Sequence, residues 1–322
     1  MTLKEEKEEV KRCTKMMRPE TAGKTLPANK ATLLEEFVSY LDVKPASAKT
    51  YTKAIKQFFN YLSDQKITNP TRDDVIAWRE ELKENHSAST VQTYIISLRR
   101  FFRWTESAGY YSNVAQDVKG AKVSKLHKRD YLTADQCSDF ISGLPRSTQE
   151  EKRNYAIIVL MTTCGLRDIE VSRAKVGDLS LKAGKTVLYI QGKGKDEKGD
   201  VIIVPPLAEK AIRDYLSTRE GISAASPLFA SLSRRNAGKS IATRTVSGVV
   251  KTALRKAGFN SKRLTAHSMR HTAATLALLN GCDIRQVQQF LRHASINTTQ
   301  IYAHDLDAIN NKCSNVIASV IV

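Results

Sequence analysis

From Ala31 onward, apolar residues return with the roughly 3.6-residue period of an amphipathic helix, and they do so four times in succession. Leu33, Leu34, Phe37, Val38 and Leu41 share one face. Pro45 interrupts that pattern, and Tyr51, Ile55, Phe58, Phe59 and Leu62 begin another. Thr71 and Asp74 have the spacing of a capping box and precede Val75, Trp78 and Leu82. After Asn85 and Ser87, a fourth stripe runs through Val91, Tyr94, Ile95, Leu98, Phe101 and Phe102. Four apolar stripes in so short a stretch predict a helical domain over residues 29–118. Residues 1–28 alternate Lys with Glu and read as a charged arm. Residues 119–130 are Lys-rich without an apolar period and read as a basic linker.

A second domain is expected over 131–322. Thr133 and Gln136 form another capping-box pattern. Helices are expected near Ala134–Ile141 and Glu150–Thr163, with Gly165 as a stop. Thr186–Gln191 and Asp200–Val204 are rich in strand formers and flank a Gly/Lys-rich turn, the pattern of a hairpin. Helical patterns return at Leu207–Thr218, Arg244–Ala257, Met269–Asn280, Ile284–Arg292 and Thr298–Asp307. Ser231–Ser240 reads as an exposed basic loop. The expected fold is therefore mainly α with a small antiparallel sheet, in two domains.

Charge narrows the partner. Lys plus Arg number 51 against 33 Asp plus Glu, a formal net charge of +18. Such an excess suits a polyanion, with nucleic acid the first candidate and an anionic membrane surface the second. Apolar runs such as Ala156–Met161 fall far short of the roughly 20 residues of a membrane span. Met1–Glu20 is charged throughout, so no secretory leader is expected. Five scattered cysteines without a CxxC pair suggest neither a zinc site nor a disulfide framework, and a cytoplasmic setting. In the first domain, Lys49, Lys53 and Lys56 form one basic stripe. Arg99 and Arg100, four and three residues before Arg103, form another. Like charges at these spacings repel slightly on a helix. Facing DNA phosphates, they displace counterions.

Candidate chemistry concentrates between His267 and Tyr302. His267, Arg270 and His271 stand at i, i+3 and i+4 and share a face if a helix opens there. Asp283 is placed to cap the helix that ends beside His293, and Asn297 the helix that carries Tyr302. Each residue alone has an ordinary structural explanation. Together, cations can neutralise phosphodiester oxygens, a phenol can attack phosphorus, and histidines can hold or move protons. A second arginine, Arg167, lies in Cys164-Gly165-Leu166-Arg167. The turn Gly192-Lys193-Gly194-Lys195 offers a flexible lysine but is not a Walker loop.

The segments TTCGLRDIEVSRAKVGDL, IQGKGKDEKGDVIIVP and TAHSMRHTAATLALLNGCDIRQVQQFLRHASINTTQIYAH, in this order and behind a helical amino-terminal domain, resemble the tyrosine recombinase family of phage integrases and Xer-type enzymes. The resemblance spans roughly residues 30–310. It implies that Arg167 and Arg270 clamp the scissile phosphate and that Lys193, less plausibly Lys195, protonates the 5′-hydroxyl leaving group. His267 and His293 would assist proton transfer and hold the phosphate, with His271 in support. Tyr302 would be the nucleophile that forms a 3′-phosphotyrosyl link. The resemblance further implies a two-domain clamp on double-stranded DNA, four protomers on two DNA sites, and strand exchange through a Holliday junction. Neither a metal nor any other cofactor is expected. The apolar tail VIASVIV would pack on its own domain or on a neighbouring protomer. The family commonly has Gly where this chain has Arg292, ahead of His293. Two rivals stay open at this level: a helical DNA-binding protein without catalysis, and a type IB topoisomerase. The biological task, whether integration, excision, dimer resolution or inversion, and any need for a partner recombinase, are not legible.

Overall fold

Several helix starts are set by side-chain caps or by a proline, and the helices follow the apolar stripes. The structure, a computed structural model, describes residues 33–123, 130–192, 197–309 and 313–321. The expected arm at 1–28, the lysines Lys193 and Lys195, and residues 124–129 of the expected linker lie outside the described residues. The chain divides into two compact units, residues 1–125 and 126–322.

The first unit holds α1 (Leu33–Tyr40), α2 (Pro45–Asp64), α3 (Arg72–Asn85) and α4 (Ala88–Ser107). Pro45, read as an interruption, is the first residue of α2. Its locked φ suits that position, and its missing N–H is one that a helix start leaves without an intrahelical partner. Thr71 starts α3 through a complete capping box, its own N–H donating to Asp74 Oδ2 at 2.7 Å. Ser87 caps α4 by accepting from the Thr90 N–H. The apolar faces meet in an aromatic core. Phe37 and Phe59 both pack edge-on against Phe101, and Phe58 against Trp78, at centroid distances of 5.3, 5.6 and 5.1 Å. Ala115 and Val118 fold back into this core. Gly120 lies so close to Gln92 that a Cβ there would overlap its side chain. The first residues of the expected linker are therefore packed on this unit.

The second unit comprises α5 (Ala134–Ser142), α6 (Gln149–Cys164), α7 (Asp168–Arg173), β1 (Leu179–Lys182), β2 (Lys185–Ile190), β3 (Asp200–Ile203), α8 (Pro206–Leu216), α9 (Thr243–Lys256), α10 (Ala266–Leu279), α11 (Ile284–Leu291), α12 (Asn297–Ile309) and α13 (Cys313–Ile321). Helix α6 is buried along Tyr155–Met161 and packs on α8 and α10. The expected hairpin is β2–β3, antiparallel with Leu188 opposite Ile202. A third strand, β1, pairs with β2 through a tight turn at Ala183-Gly184, both with positive φ. Strand β1 was not expected: it is four residues long and largely exposed, so it carries no buried alternation. Helix α10 begins at Ala266, three residues ahead of the expected start, because Thr265 and Ser268 form its capping pair. Helix α12 includes Asn297, expected as its cap. Ser295 Oγ instead accepts from the Asn297 N–H at 3.3 Å. Residues 232–240 are exposed, as expected of the basic loop.

Candidate active site

At the end of α6 the chain must turn sharply to begin α7, and Gly165 makes that turn with φ +57°. A Cβ at Gly165 would stand 2.9 Å from Leu291 Cδ2 and 3.1 Å from Phe290 Cε1. Gly165→Ala therefore combines a left-handed residue with overpacking against α11. An expected loss of about 2 kcal/mol follows, read as a lowered Tm.

Arg167 emerges two residues after this turn. Its N–H and Nη1 donate to Glu170 Oε2 and Oε1 at 2.9 and 2.8 Å. Glu170 has no exposed surface, whereas the Arg167 side chain is 24% exposed. Glu170 Oε2 also accepts from Arg292 Nη2 at 2.9 Å. One buried carboxylate thus holds guanidiniums from two distant stretches.

Arg270, from the first turns of α10, is fully buried. Its Nη1 donates to the Gly165 carbonyl and its Nη2 to the Leu291 carbonyl. Its Nε has no protein acceptor among the described residues. Burial, and then the charges of Arg167 and Arg292, push its pKa down to about 9, so it stays charged at neutral pH.

Arg292 ends α11 in the left-handed region, with φ 55° and ψ 45°. Glycine at this position would be free of strain, whereas an arginine costs about 1 kcal/mol. His293 follows at once. Its Nδ1 shares a hydrogen bond of 2.9 Å with Thr299 Oγ1. Burial chiefly, then the charges of Arg270, Arg167, His267 and Arg292, push its pKa down to about 3. The imidazole is therefore neutral at physiological pH and serves as a hydrogen-bonding group rather than a fourth cation. His267, partly exposed, lies in the first turn of α10 and within electrostatic reach of His293.

Tyr302 is 3% exposed and packs with Ala274, Val287 and Leu291. Its ring meets His271 edge-on at 4.7 Å and lies nearly parallel to His293 at 6.2 Å. His271 also stacks on the Tyr131 ring, at 5.5 Å, and so contacts both tyrosine rings. Arg270 also feels the Tyr302 hydroxyl electrostatically.

Arg167, Arg270, His293 and Tyr302 are therefore brought together, with His267 beside them. Lys193 lies outside the described residues. Gly192, the residue before it, accepts through its carbonyl from Arg173 Nη1 of α7 at 3.4 Å. Glu170 was missed from sequence. Its only local signal is Arg167-x-x-Glu170, a spacing common on any helix. Among the described residues no cluster of three or more His, Cys, Asp or Glu is arranged to hold a metal ion.

In the first unit, Lys49 and Lys53 of α2 line a shallow groove with Ser89, Thr90 and Thr93 at the start of α4. Lys56 is partly exposed on the same helix. Arg100 and Arg103 are exposed, and Arg100 lies over the Tyr51 ring at 5.4 Å. Arg99 is turned inwards, its Nη2 donating to the Val118 carbonyl. It differs from the stripe read in the sequence because the 110–118 segment folds back against its side of α4.

Comparison with known proteins gives the family. The chain belongs to the phage integrase family, whose model matches residues 130–308, and the family's N-terminal SAM-like domain matches residues 34–109. It is a tyrosine recombinase, an enzyme of site-specific recombination that cleaves and rejoins DNA. The tyrosine recombinase XerC of Caldanaerobacter subterraneus subsp. tengcongensis is 30% identical over 304 residues, covering 84% of this chain and 82% of its own length. The tyrosine recombinase XerA of Pyrococcus horikoshii is 30% identical over 274 residues, covering 84% and 88%. The fold is shared with the XerH recombinase bound to a palindromic difH substrate, at TM-score 0.69 and 20% identity over 91% of this chain and 89% of that one. It is also shared with a lambda integrase dimer bound to a COC′ core site, at TM-score 0.66 and 18% identity over 84% and 75%. Among the described residues no helix is long and apolar enough to cross a membrane.

Proposed function

We propose that the chain recombines double-stranded DNA through attack of Tyr302 on a phosphate clamped by Arg167 and Arg270. The observation that carries this reading is the convergence of α6–α7, α10 and α11–α12 on one point, where Arg270 reaches the carbonyls of both Gly165 and Leu291. A free phenol has a pKa of about 10 and is a weak nucleophile at neutrality. Nearby guanidiniums favour the phenolate and stabilise the charge that grows on phosphorus. His293, which is neutral, and His267 hydrogen-bond the phosphate, and Lys193 gives its proton to the departing 5′-hydroxyl. The bond energy is kept in a 3′-phosphotyrosyl link, so rejoining needs no ATP. Because Tyr302 is buried, α12 must expose the phenol before attack.

Lys49, Lys53, Lys56, Arg100 and Arg103 contact the DNA backbone, with the hydroxyls of Ser89, Thr90 and Thr93 completing the groove; Arg99 supports that surface from behind. A homotetramer on two DNA sites is the working assembly. The exposed Val316, Ile317, Val320 and Ile321 of α13 supply an apolar surface suited to a second copy. The biological task is of the Xer type or that of a mobile element, in a cytoplasmic setting.

The test uses a pool of random-sequence duplexes, each carrying a nick that lets the cleaved end diffuse away. The wild-type protein is expected to form an adduct that survives a denaturing gel, with the nucleotide mapped by peptide mass to Tyr302. Retained DNA without any adduct overturns the mechanism and favours a non-catalytic DNA-binding protein.

A further inference from the structure

Arg292 occupies a backbone position that glycine fills without strain, yet its side chain is not spent on solvent or left to face DNA. The side chain is 9% exposed. Its Nη1 donates to the Phe290 carbonyl at 2.7 Å, and its Nη2 to the Gly165 carbonyl at 3.1 Å and to Glu170 Oε2 at 2.9 Å. Those last two acceptors are shared. Glu170 also holds Arg167, and the Gly165 carbonyl also holds Arg270. The planar fork of Arg292 therefore joins the anchors of both phosphate-clamping arginines to the residue that precedes His293.

We infer that Arg292 is a positioning residue of this recombinase: it fixes Glu170 and the Gly165 carbonyl, and through them sets the spacing of Arg167 and Arg270 around the scissile phosphate. The inference rests on the proposed roles of those two arginines. Its physical basis is that two cations grip one phosphate only if their separation is held, and a shift of about 1 Å in such groups costs up to about a hundredfold in rate. Arg167 alone, part-exposed and bonded to a single carboxylate, has freedom that a second guanidinium on the same carboxylate removes. In addition, three guanidiniums around one carboxylate leave the pocket positive, which suits a phosphate.

The test compares wild type, Arg292→Gly and Arg292→Lys on a nicked duplex recovered from the random pool. Tm, affinity for the duplex, and the single-turnover rate and amplitude of adduct formation are measured. Arg292→Gly relieves the left-handed strain and is expected to fold. It should bind the duplex as wild type does, with the rate of adduct formation about tenfold to a hundredfold lower and the amplitude kept. A folding defect would instead lower the amplitude. Arg292→Lys keeps the charge, loses the fork, and is expected at the rate of the Gly variant. A wild-type rate in either variant, or a rate loss matched by lost duplex affinity, overturns the positioning role alone. Absence of any adduct from the wild-type protein overturns the mechanism on which it rests as well.

Discussion

Replacing Tyr302 by phenylalanine is expected to abolish the denaturation-resistant adduct on nicked duplex while leaving duplex affinity unchanged. The two outcomes separate because the substitution removes one oxygen and little else. Tyr302 is 3% exposed, with its ring set against His271 and His293 and its neighbours Ala274, Val287 and Leu291. Phenylalanine fills that space, so the stability cost is confined to the hydroxyl's hydrogen bonding, about 1 kcal/mol. Alanine would be the wrong variant, since emptying an aromatic site of this kind costs about 3–5 kcal/mol and confuses unfolding with lost chemistry. The basic groove of the first unit is untouched, so phosphate contacts and their salt dependence should persist. An adduct of undiminished rate with the Phe variant would show that another residue attacks. A Tm lowered by no more than about 2–4 °C and equal duplex affinity, with no adduct, would place the chemistry at this one oxygen.

The contrast between what the chain's pattern revealed and what it hid has a physical origin. The four helices of the first unit were legible because each buries one face, and burial of one face imposes the apolar spacing of Phe58, Phe59 and Leu62 or of Leu98, Phe101 and Phe102. Local chemistry marked their starts at Thr71 and Ser87. The candidate site residues stood out through their order along the chain rather than through any one of them. What stayed hidden depends on partners remote in sequence. Glu170 meets Arg292 across 122 positions, and no periodicity reports such a pair. Arg292 stood out only as a departure from the family's glycine, whereas a left-handed helix end turns it inwards. Arg99 looked identical to Arg100 and Arg103 on a helical projection. Only the returning 110–118 segment distinguishes it, by offering the Val118 carbonyl. Strand β1 has too few buried residues to leave a trace.

Glu170→Gln is expected to lower the stability of the second unit by about 3 kcal/mol and to slow cleavage, without weakening DNA binding. The carboxylate has no exposed surface and accepts from the Arg167 N–H, Arg167 Nη1 and Arg292 Nη2. Glutamine has the same shape, but its NH2 group is a donor and must face one of those donors. At least one hydrogen bond is lost, and Arg167, Arg270 and Arg292 then repel one another without a counter-charge. Removing one partner of a buried ion pair costs about 3–5 kcal/mol. The low end applies because the Arg167 side chain is 24% exposed and water relieves part of the loss. For a unit of this size, that corresponds to a fall in Tm of roughly 6–12 °C, measurable by thermal melting. Cleavage slows because Arg167 loses the anchor that aims it. DNA affinity moves the other way or not at all, since the variant gains one net positive charge next to a phosphate site. A Glu170→Asp variant separates charge from reach. It keeps the negative charge one methylene short of both guanidiniums, so its Tm should fall less than that of the Gln variant while its cleavage rate still drops. If Glu170→Gln melts at the wild-type temperature, the Arg167 and Arg292 guanidiniums are not held by this carboxylate, and the rigidity assigned to the phosphate clamp must come from the carbonyls of Gly165 and Leu291 alone.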